Sequence, residues 1–416
     1  MRLLLGLRDL IHDAIEKTTD LVEETHDSAA SKVLRLLSLA PATLGDAARL
    51  VVGAERLGAS VVYETIRITN RGVRVLEDAG IALAGDALPE AQPGPRPAWA
   101  DTARGALNAL HGDFLRGRGN ALAIRMALKL GGRTLPTSRE ALATALPDAT
   151  GKVCLFVHGL GCTEREWSRG AGSDHGDPDT NFGTLLARDL GMTPLYLRYN
   201  TGLHISENGR ALSRLLTDLV AAYPRPIDEI LLFGHSMGGL VARSAAHYGE
   251  RDRAPWIGRL THVVCIGSPH LGAPLEKGVN FLASILGRVG AAGTQVPAKI
   301  LNARSAGIKD LRFGYVVDED WRGKDPDAFL EDNRNDIPFV ESATYAFVAA
   351  SITRDPEHPL GQLLGDVMVR QGSASGRAPE PSRHIPFRVG RVFGGLHHLQ
   401  LQNHPEVYAA IKGWLA

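Results

Sequence analysis

The sequence predicts an α/β protein built on a doubly wound, mostly parallel sheet. From Lys152 onward, short apolar runs alternate with longer helical stretches, which is the pattern of parallel strands joined by crossover helices. One of these runs, Ile230–Phe233, leads directly into Gly234-His235-Ser236-Met237-Gly238 and then into a helix-competent segment. A strand, a sharp turn carrying a serine and a helix in succession are typical of a nucleophile elbow. Because ligands bind at the carboxyl ends of parallel strands, the pattern predicts a site at Ser236.

Length, charge and cysteine content narrow the class of protein. A chain of 416 residues can bury a large core and hold more than one structural unit. Its 46 Lys and Arg residues balance 46 Asp and Glu residues, so no global electrostatic attraction draws it to nucleic acid. Three cysteines cannot form a disulfide framework, and Cys154 and Cys265 lie in strand-like runs where we expect them to be buried. No apolar stretch approaches the roughly 18 residues of a membrane span. We therefore expect a cytoplasmic enzyme without a nucleic-acid partner.

Residues 1–88 are predicted to form a helical hairpin. Apolar residues recur with helical spacing over residues 3–37 and again over 44–83, with Pro41 between the two segments. This apolar stripe needs a partner, which we expect to be the catalytic domain or a second chain in a homo-oligomer. Membrane contact is the less favoured alternative, because residues 1–90 hold ten Lys or Arg and fourteen Asp or Glu, a net charge of −4.

A proline-rich stretch divides the chain. Residues 89–100 are predicted to be a stiff linker, which leaves residues 101–416 as the catalytic domain. Two apolar runs, over 121–130 and 133–135, flank Gly131-Gly132 and predict a strand hairpin, and Ser138 is placed to cap a short helix. Six further apolar runs predict the rest of the sheet: Val153–Val157, Pro194–Tyr199, Ile230–Phe233, His262–Ile266, Tyr345–Ala350 and Pro386–Val392.

A serine hydrolase needs two N–H donors for the oxyanion of its tetrahedral intermediate. The residue after the nucleophile, Met237, is expected to supply one of them. The other usually comes from a His-Gly loop after an earlier strand, and His158-Gly159-Leu160 follows the run Val153–Val157. We therefore predict the second donor to be the Leu160 N–H, and we expect His158 to anchor the loop by hydrogen bonds.

The predicted nucleophile also needs a base and an acid. His397 and His398 lie close to the C-terminus after the final strand-like run, where the last partner falls in the chain order Ser, acid, His. Either histidine fits that position. For the acid, Asp355 and Asp366 both follow the run Tyr345–Ala350. Asp366 is favoured because it lies in a turn that precedes an apolar segment, whereas Asp355 lies in a strongly polar stretch.

These motifs together resemble the α/β-hydrolases of the lipase and esterase group, and in particular bacterial relatives of the GPI inositol-deacylase-like hydrolases. The resemblance spans residues 152–416, so it implies nothing about the N-terminal helices. The matching pieces are Val157-His158-Gly159-Leu160-Gly161, Gly234-His235-Ser236-Met237-Gly238-Gly239, Gly267-Ser268-Pro269-His270-Leu271-Gly272-Ala273-Pro274, Gly365-Asp366-Val367-Met368-Val369 and His398-Leu399-Gln400-Leu401.

The resemblance implies a catalytic triad of Ser236, Asp366 and His398. In relatives the catalytic histidine is followed by a leucine, a polar residue and another apolar one, which favours His398 over His397. Relatives often have Gly-Asp-Gly-x-Val at the acid, whereas Val367 stands here in place of the second glycine.

The segment Gly272–Val340 is too long for a plain connection between strands and is predicted to be a cap inserted over the site. Val279, Leu282 and Leu286 belong to a helical apolar stripe in it, which either packs within the cap or contacts the substrate. The acidic loop around Asp174 is expected to be solvated, because carboxylates in Gly-rich loops seldom bind metal. No metal or cofactor is therefore expected.

The function predicted from these residues is that of a serine carboxylester hydrolase. It would act through an acyl-enzyme on a small-molecule ester or lipid with an apolar acyl or alcohol group. A thioesterase or an amidase is an alternative, because the same machinery serves all acyl transfers. A non-catalytic lipid-binding or scaffolding protein is the alternative from another class, although such a protein has no need of Ser, acid and His at these places.

Overall fold

A computed structural model describes most of the predicted catalytic domain. The described residues are 98–273, 305–324, 333–378 and 380–415, together with Asp9 and Asp13. The predicted helical hairpin apart from Asp9 and Asp13, most of the 89–100 linker, and residues 274–304 and 325–332 of the predicted cap therefore lie outside the description. The chain divides into two compact units, the larger of which comprises residues 95–119 and 123–416.

The larger unit contains one eight-stranded sheet. Its spatial order is β2-β1-β4-β3-β5-β6-β7-β8, with every pair from β4 to β8 parallel and β1 antiparallel to both of its neighbours. This order confirms the prediction of a mostly parallel sheet. The strands are β1 (Ala127–Leu130), β2 (Arg133–Leu135), β3 (Lys152–Val157), β4 (Thr193–Arg198), β5 (Glu229–His235), β6 (Leu260–Ile266), β7 (Thr344–Ser351) and β8 (Val389–Gly394).

Helices join most of the parallel strands. Within the described ranges the α-helices are α1 (Ala98–Gly117), α2 (Arg139–Ala145), α3 (Ala171–His175), α4 (Phe182–Leu190), α5 (Ile205–Ala222), α6 (Met237–Arg251), α7 (Ala306–Phe313), α8 (Asp318–Trp321), α9 (Pro359–Leu364), α10 (Gln371–Ala374) and α11 (Pro405–Leu415). Short 3₁₀ turns span Glu164–Ser168, Ile257–Arg259 and Pro381–Arg383. As predicted, the Ser138 side chain caps α2, where it accepts a hydrogen bond from Ala141 N.

Helices on both faces of the sheet bury its strands. Along β3 the side chains alternate between two apolar cores, so that Val153 and Leu155 pack in one core and Cys154 and Phe156 in the other. Both faces are therefore covered, which is the doubly wound arrangement that the sequence predicts. Cys154 and Cys265 are buried as expected, and burial raises the pKa of the Cys265 thiol to about 12. In the described ranges, none of the helices combines the length and apolar character needed to cross a bilayer.

The structure differs from the sequence-based boundaries at two strands. The first predicted strand begins only at Ala127, because α1 takes up backbone groups that a strand would use: Asn108 Oδ1 accepts from Ile124 N at 2.8 Å. The last strand begins at Val389 rather than at Pro386, because Pro386 has no N–H and Phe387 N bonds to Ile385 O in a turn. Helix α1 itself was not predicted, and its first three residues, 98–100, overlap the end of the predicted linker.

Candidate active site

Ser236 occupies the sharp turn between β5 and α6. Its backbone has φ 54° and ψ −123°, a region that residues with a side chain rarely adopt. The turn can be this tight because Gly234 lacks a side chain, and a Cβ there would lie 2.3 Å from the amide nitrogen of Gly239. The predicted strand, strained turn and helix are thus present at Gly-x-Ser-x-Gly.

Ser236 is the one residue that keeps access to solvent in a buried stretch. Every other residue from Ile230 to Ala246 is buried. The Ser236 N–H donates to the carbonyl of Ile266 on β6 at 2.8 Å, and the Ser236 carbonyl accepts from Gly239 N at 3.1 Å. The backbone is therefore held on both sides, and the serine stands at the carboxyl end of β5, where ligands reach a parallel sheet.

Asp366 and His398 form a buried pair. His398 Nδ1 lies 2.8 Å from Asp366 Oδ2, and both residues are less than 4% exposed. The other carboxylate oxygen, Oδ1, accepts from Met368 N at 3.0 Å and from Val369 N at 2.7 Å. Because a carboxylate accepts, the proton of neutral His398 is assigned to Nδ1, which leaves the lone pair on Nε2.

His398 is attached to the residue that precedes Ser236. Its carbonyl accepts from His235 Nε2 at 3.1 Å, and the two rings lie 4.8 Å apart between centroids. Burial lowers the pKa of His235 well below its usual value, so this imidazole is neutral and carries its proton on Nε2. A Cβ on Gly267 would lie 3.2 Å from the His398 ring, so the backbone directly after β6 also confines the imidazole. The structure thus brings His398 to the elbow from a position 163 residues away in the chain.

His397 and Asp355, the alternatives to His398 and Asp366, are exposed and not buried. His397 is exposed, and its backbone N–H donates to Gln400 Oε1 at 3.0 Å. Asp355 is also exposed, and its Oδ1 accepts from Glu357 N at 3.0 Å within its own loop. The buried carboxylate and imidazole that contact one another are therefore Asp366 and His398.

The loop after β3 lies against the elbow. A Cβ on Gly159 would be 3.0 Å from the Cβ of Ser236. Burial lowers the pKa of His158 to about 3, so the imidazole is neutral, and its Nδ1 donates to the Gly159 carbonyl at 2.9 Å. The same carbonyl accepts from Cys162 N at 3.2 Å. His158 thus makes the loop-anchoring hydrogen bond that we expect of it.

The two predicted oxyanion donors, the N–H groups of Leu160 and Met237, belong to the loop after β3 and to the start of α6, which meet at Ser236. In a trans peptide the C=O and N–H point in opposite directions, so two hydrogen bonds to the Gly159 carbonyl direct the Leu160 N–H away from the loop interior. Met237 is the first residue of α6, where a helix N–H has no acceptor within the helix. In the part of the chain that the structure describes, neither the Leu160 N–H nor the Met237 N–H has an acceptor.

The sequence did not single out the buried polar segment that follows β4. Tyr199 OH donates to the His158 carbonyl at 2.8 Å, and Thr201 Oγ1 accepts from Gly161 N at 3.2 Å. Both side chains are at most 1% exposed. The available signal was a run of polar residues directly after an apolar strand, Arg198-Tyr199-Asn200-Thr201, at the edge of the sheet that carries the site.

Other predicted features have different outcomes. Val279, Leu282 and Leu286 lie outside the described residues, so their contact with substrate stays a prediction. In the acidic loop, His175 Nε2 bonds to the Asn403 carbonyl at 2.8 Å. Across the described ranges, no group of His, Cys, Asp or Glu side chains is arranged to hold a metal ion.

Comparison with known proteins gives one family match. Residues 148–326 match the family described as a PGAP1-like alpha/beta domain. No curated protein matches the chain.

Several solved structures resemble the chain at low identity. A lipase-esterase related protein from Clostridium acetobutylicum ATCC 824 is 14% identical, covers 64% of this chain and 95% of its own, and has a TM-score of 0.35. Phospholipase PlaB from Legionella pneumophila is 15% identical, covers 63% of this chain and 59% of its own, and has a TM-score of 0.37. Esterase B from Lactobacillus rhamnosis is 12% identical, covers 76% of this chain and 94% of its own, and has a TM-score of 0.34. All three TM-scores are below 0.5, so these structures say nothing about the activity of this chain.

The strand order and the strained serine turn agree with the family match, which begins four residues before β3 and ends within the predicted cap insertion. The chain therefore carries a domain with the α/β-hydrolase fold, and it resembles the PGAP1-like family over residues 148–326.

Proposed function

We propose that this protein is a serine carboxylester hydrolase. The observation that carries the proposal is the pairing of a strained, solvent-accessible Ser236 with a buried Asp366–His398 pair that is attached to the same turn. A strained backbone conformation costs on the order of 1–3 kcal/mol and is maintained mainly where it serves a function. A buried carboxylate that orients an imidazole is what a general base beside a serine requires.

In the proposed mechanism, Ser236 attacks the ester carbonyl while His398 Nε2 accepts its proton. Asp366 holds the imidazole in the Nδ1–H tautomer and stabilises the imidazolium, but it does not itself take the proton. The N–H groups of Leu160 and Met237 bind the oxyanion of the tetrahedral intermediate. His398 then protonates the leaving alcohol, and a water activated by the same imidazole hydrolyses the acyl-enzyme.

The substrate is proposed to be an ester with an apolar acyl or alcohol group. The support for this is the apolar stripe of the predicted cap, which includes Val279, Leu282 and Leu286. Thioesters and amides are alternative substrates, because the nucleophile, base and oxyanion donors serve every acyl transfer. The three classes are separated by kcat/KM for a p-nitrophenyl ester, a thioester and an anilide of the same acyl chain.

The test is active-site labelling followed by turnover. We expect a fluorophosphonate to label the wild-type protein and a p-nitrophenyl ester to give a burst of one equivalent of nitrophenol before the steady state. Ser236→Ala should abolish both, with a loss of turnover on the order of 10⁶.

Ser138→Ala is the matched control. It removes a serine hydroxyl that only caps α2, so it should cost about 1 kcal/mol of stability and leave labelling unchanged. Wild-type protein that neither labels nor turns over any of the three substrates would favour the non-catalytic binding protein.

A further inference from the structure

Two side chains from one buried segment contact the loop that carries Leu160. Tyr199 OH donates to the His158 carbonyl at 2.8 Å, and the Tyr199 ring stacks on the His158 ring with 4.5 Å between centroids. Two residues later, Thr201 Oγ1 accepts from Gly161 N at 3.2 Å. The segment after β4 therefore holds the loop on both sides of Leu160.

The hydrogen bond from Gly161 to Thr201 has no obvious replacement. Gly161 has φ 68°, so its peptide is turned away from the path of a regular strand. Thr201 is 1% exposed, so water does not compete freely for this N–H. Removing the hydroxyl would leave a buried donor unpaired, which costs about 1–3 kcal/mol unless the loop moves to find another acceptor.

The loop is also confined by α1. A Cβ on Gly105 would lie 2.7 Å from the Gly161 carbonyl oxygen. The loop thus contacts both the backbone of α1 and the side chain of Thr201. A shift that paired the Gly161 N–H elsewhere would have to move the peptide away from both contacts.

The segment that carries Thr201 is itself held firmly. Asn200 Nδ2 donates to the Gly112 carbonyl of α1 at 2.9 Å, and Asn200 Oδ1 accepts from Gly202 N at 3.0 Å. From the described part of the insertion, Gly307 N donates to the Gly202 carbonyl at 3.2 Å. Thr201 is therefore a fixed acceptor that cannot easily follow a displaced loop.

We propose that Thr201 is a positioning residue for the oxyanion donor at Leu160. Its hydroxyl fixes the peptide that follows Leu160, and the hydrogen bonds to the Gly159 carbonyl fix the peptide that precedes it, so that the Leu160 N–H is held in one direction. This inference rests on the proposed function. Thr201 acts only through the loop and does not itself contact the substrate.

The test compares three variants by steady-state kinetics on a p-nitrophenyl ester. Thr201→Val keeps the shape but removes the acceptor, and we expect kcat to fall about 10- to 100-fold with KM nearly unchanged, as for a weakened oxyanion donor. Thr201→Ser keeps the hydroxyl and should restore kcat to within about threefold of wild type, given the small volume lost.

Thr193→Val is the matched control from the opposite end of β4. Thr193 is also a buried threonine, and its Oγ1 likewise accepts a backbone N–H, from Thr150 at 2.8 Å. A loss of stability alone would affect both valine variants, whereas the positioning role predicts that only Thr201→Val lowers kcat.

The binding of an alkyl boronic acid, which forms a tetrahedral adduct with the serine, should weaken in Thr201→Val by the same factor as kcat. Unchanged kcat in Thr201→Val, or an equal loss in Thr193→Val, would overturn the positioning role. These outcomes are distinct from failure of the proposed function, in which the wild-type protein would show no fluorophosphonate labelling.

Discussion

His398 contacts Asp366 through both its side chain and its backbone: Nδ1 lies 2.8 Å from Oδ2, and the His398 N–H donates to the Asp366 carbonyl at 3.2 Å. The two contacts fix the position of the imidazole and the orientation of its ring together. Met368 and Val369 supply N–H donors to the remaining carboxylate oxygen, so the carboxylate has little freedom to rotate. The pair is therefore preorganised before any substrate arrives.

Asp366→Asn should lower kcat by about four orders of magnitude. An amide in place of the carboxylate favours the Nε2–H tautomer of His398, and that tautomer cannot accept the serine proton. Asp355→Asn is the control, because Asp355 is exposed and its carboxylate accepts from Glu357 N within its own loop. Steady-state kinetics of the two variants decide between the acids, and a larger loss in Asp355→Asn would move the acid to that residue.

His398→Ala should cost about as much activity as Ser236→Ala, since a base and its nucleophile act as a unit. His397→Ala should stay within about tenfold of wild type, because His397 is exposed, and the imidazole that contacts the buried Asp366 carboxylate is that of His398. Burst amplitude and kcat are the measurements. The reverse order of losses would assign the base to His397.

The sequence predicted the part of the site that local chemistry determines. The elbow at Ser236 needs glycines and a strand–helix junction, and Asp366 needs a turn after a strand, so both leave a mark within a few residues. Helix α1 left no such mark, because its buried face includes Asp101. Asp101 Oδ1 accepts from Arg198 Nη1 at 2.9 Å, and the two residues are 97 positions apart in the sequence. A buried ion pair of this kind interrupts the apolar periodicity from which a helix is predicted.

The Thr201 contact was missed for a related reason. A single threonine after a strand is common, and only the fold shows that its hydroxyl accepts from the loop that follows a different strand. The pairing of β4 with β3 brings the two loops together, and that pairing is a property of the sheet rather than of either segment. Local patterns therefore predicted the residues that we propose to react, but not the residues that support them.

Acid should destabilise the fold below about pH 6.5. Burial lowers the pKa of His158 to about 3, and it lowers the pKa values of His235 and His270 well below the usual range. As the pH falls below the unfolded value, the unfolded chain takes up protons that the native state does not. The free energy of unfolding should therefore fall by up to about 1.4 kcal/mol per pH unit for each histidine.

This pH dependence is checked by urea unfolding between pH 4 and 8. His270→Gln removes one buried imidazole and should reduce the slope by about one proton, whereas His397→Gln, at an exposed position, should leave it unchanged. A slope that is equal in His270→Gln and wild type would mean that His270 is protonated in the native state.

Gly105→Ala should lower kcat, although alanine is the better helix former. In an exposed helix the change would stabilise by about 1 kcal/mol. Here the new Cβ would lie 2.7 Å from the Gly161 carbonyl oxygen, so the loop that carries Leu160 must move. Gly117→Ala, at the end of the same helix, is the control and should keep wild-type kcat, because no other segment among the described residues comes within 4 Å of the added Cβ. Equal kcat in both variants would show that the loop tolerates the displacement.

Val367→Gly should stabilise the protein while leaving its activity intact. Val367 has φ 81°, which is strained for a β-branched residue, and its side chain is 51% exposed, so packing offsets little of that strain. Relief of the strain outweighs the added entropy of glycine in the unfolded chain, for a net gain of up to about 1 kcal/mol. Thermal unfolding measures the gain as a rise in Tm.

Ile352→Gly is the matched control for this gain. Ile352 is also a β-branched residue exposed in the same region, at 39%, but it lacks a positive φ, so glycine there should only add unfolded-state entropy and lower Tm. Since Val367 adjoins Asp366, the kcat of Val367→Gly reports whether the strain holds the carboxylate in place. A stabilised variant with unchanged kcat is expected, because the hydrogen bonds of Asp366 to Met368, Val369 and His398 do not involve the Val367 side chain. A lower Tm, or a kcat reduced in parallel with a higher Tm, would contradict this account.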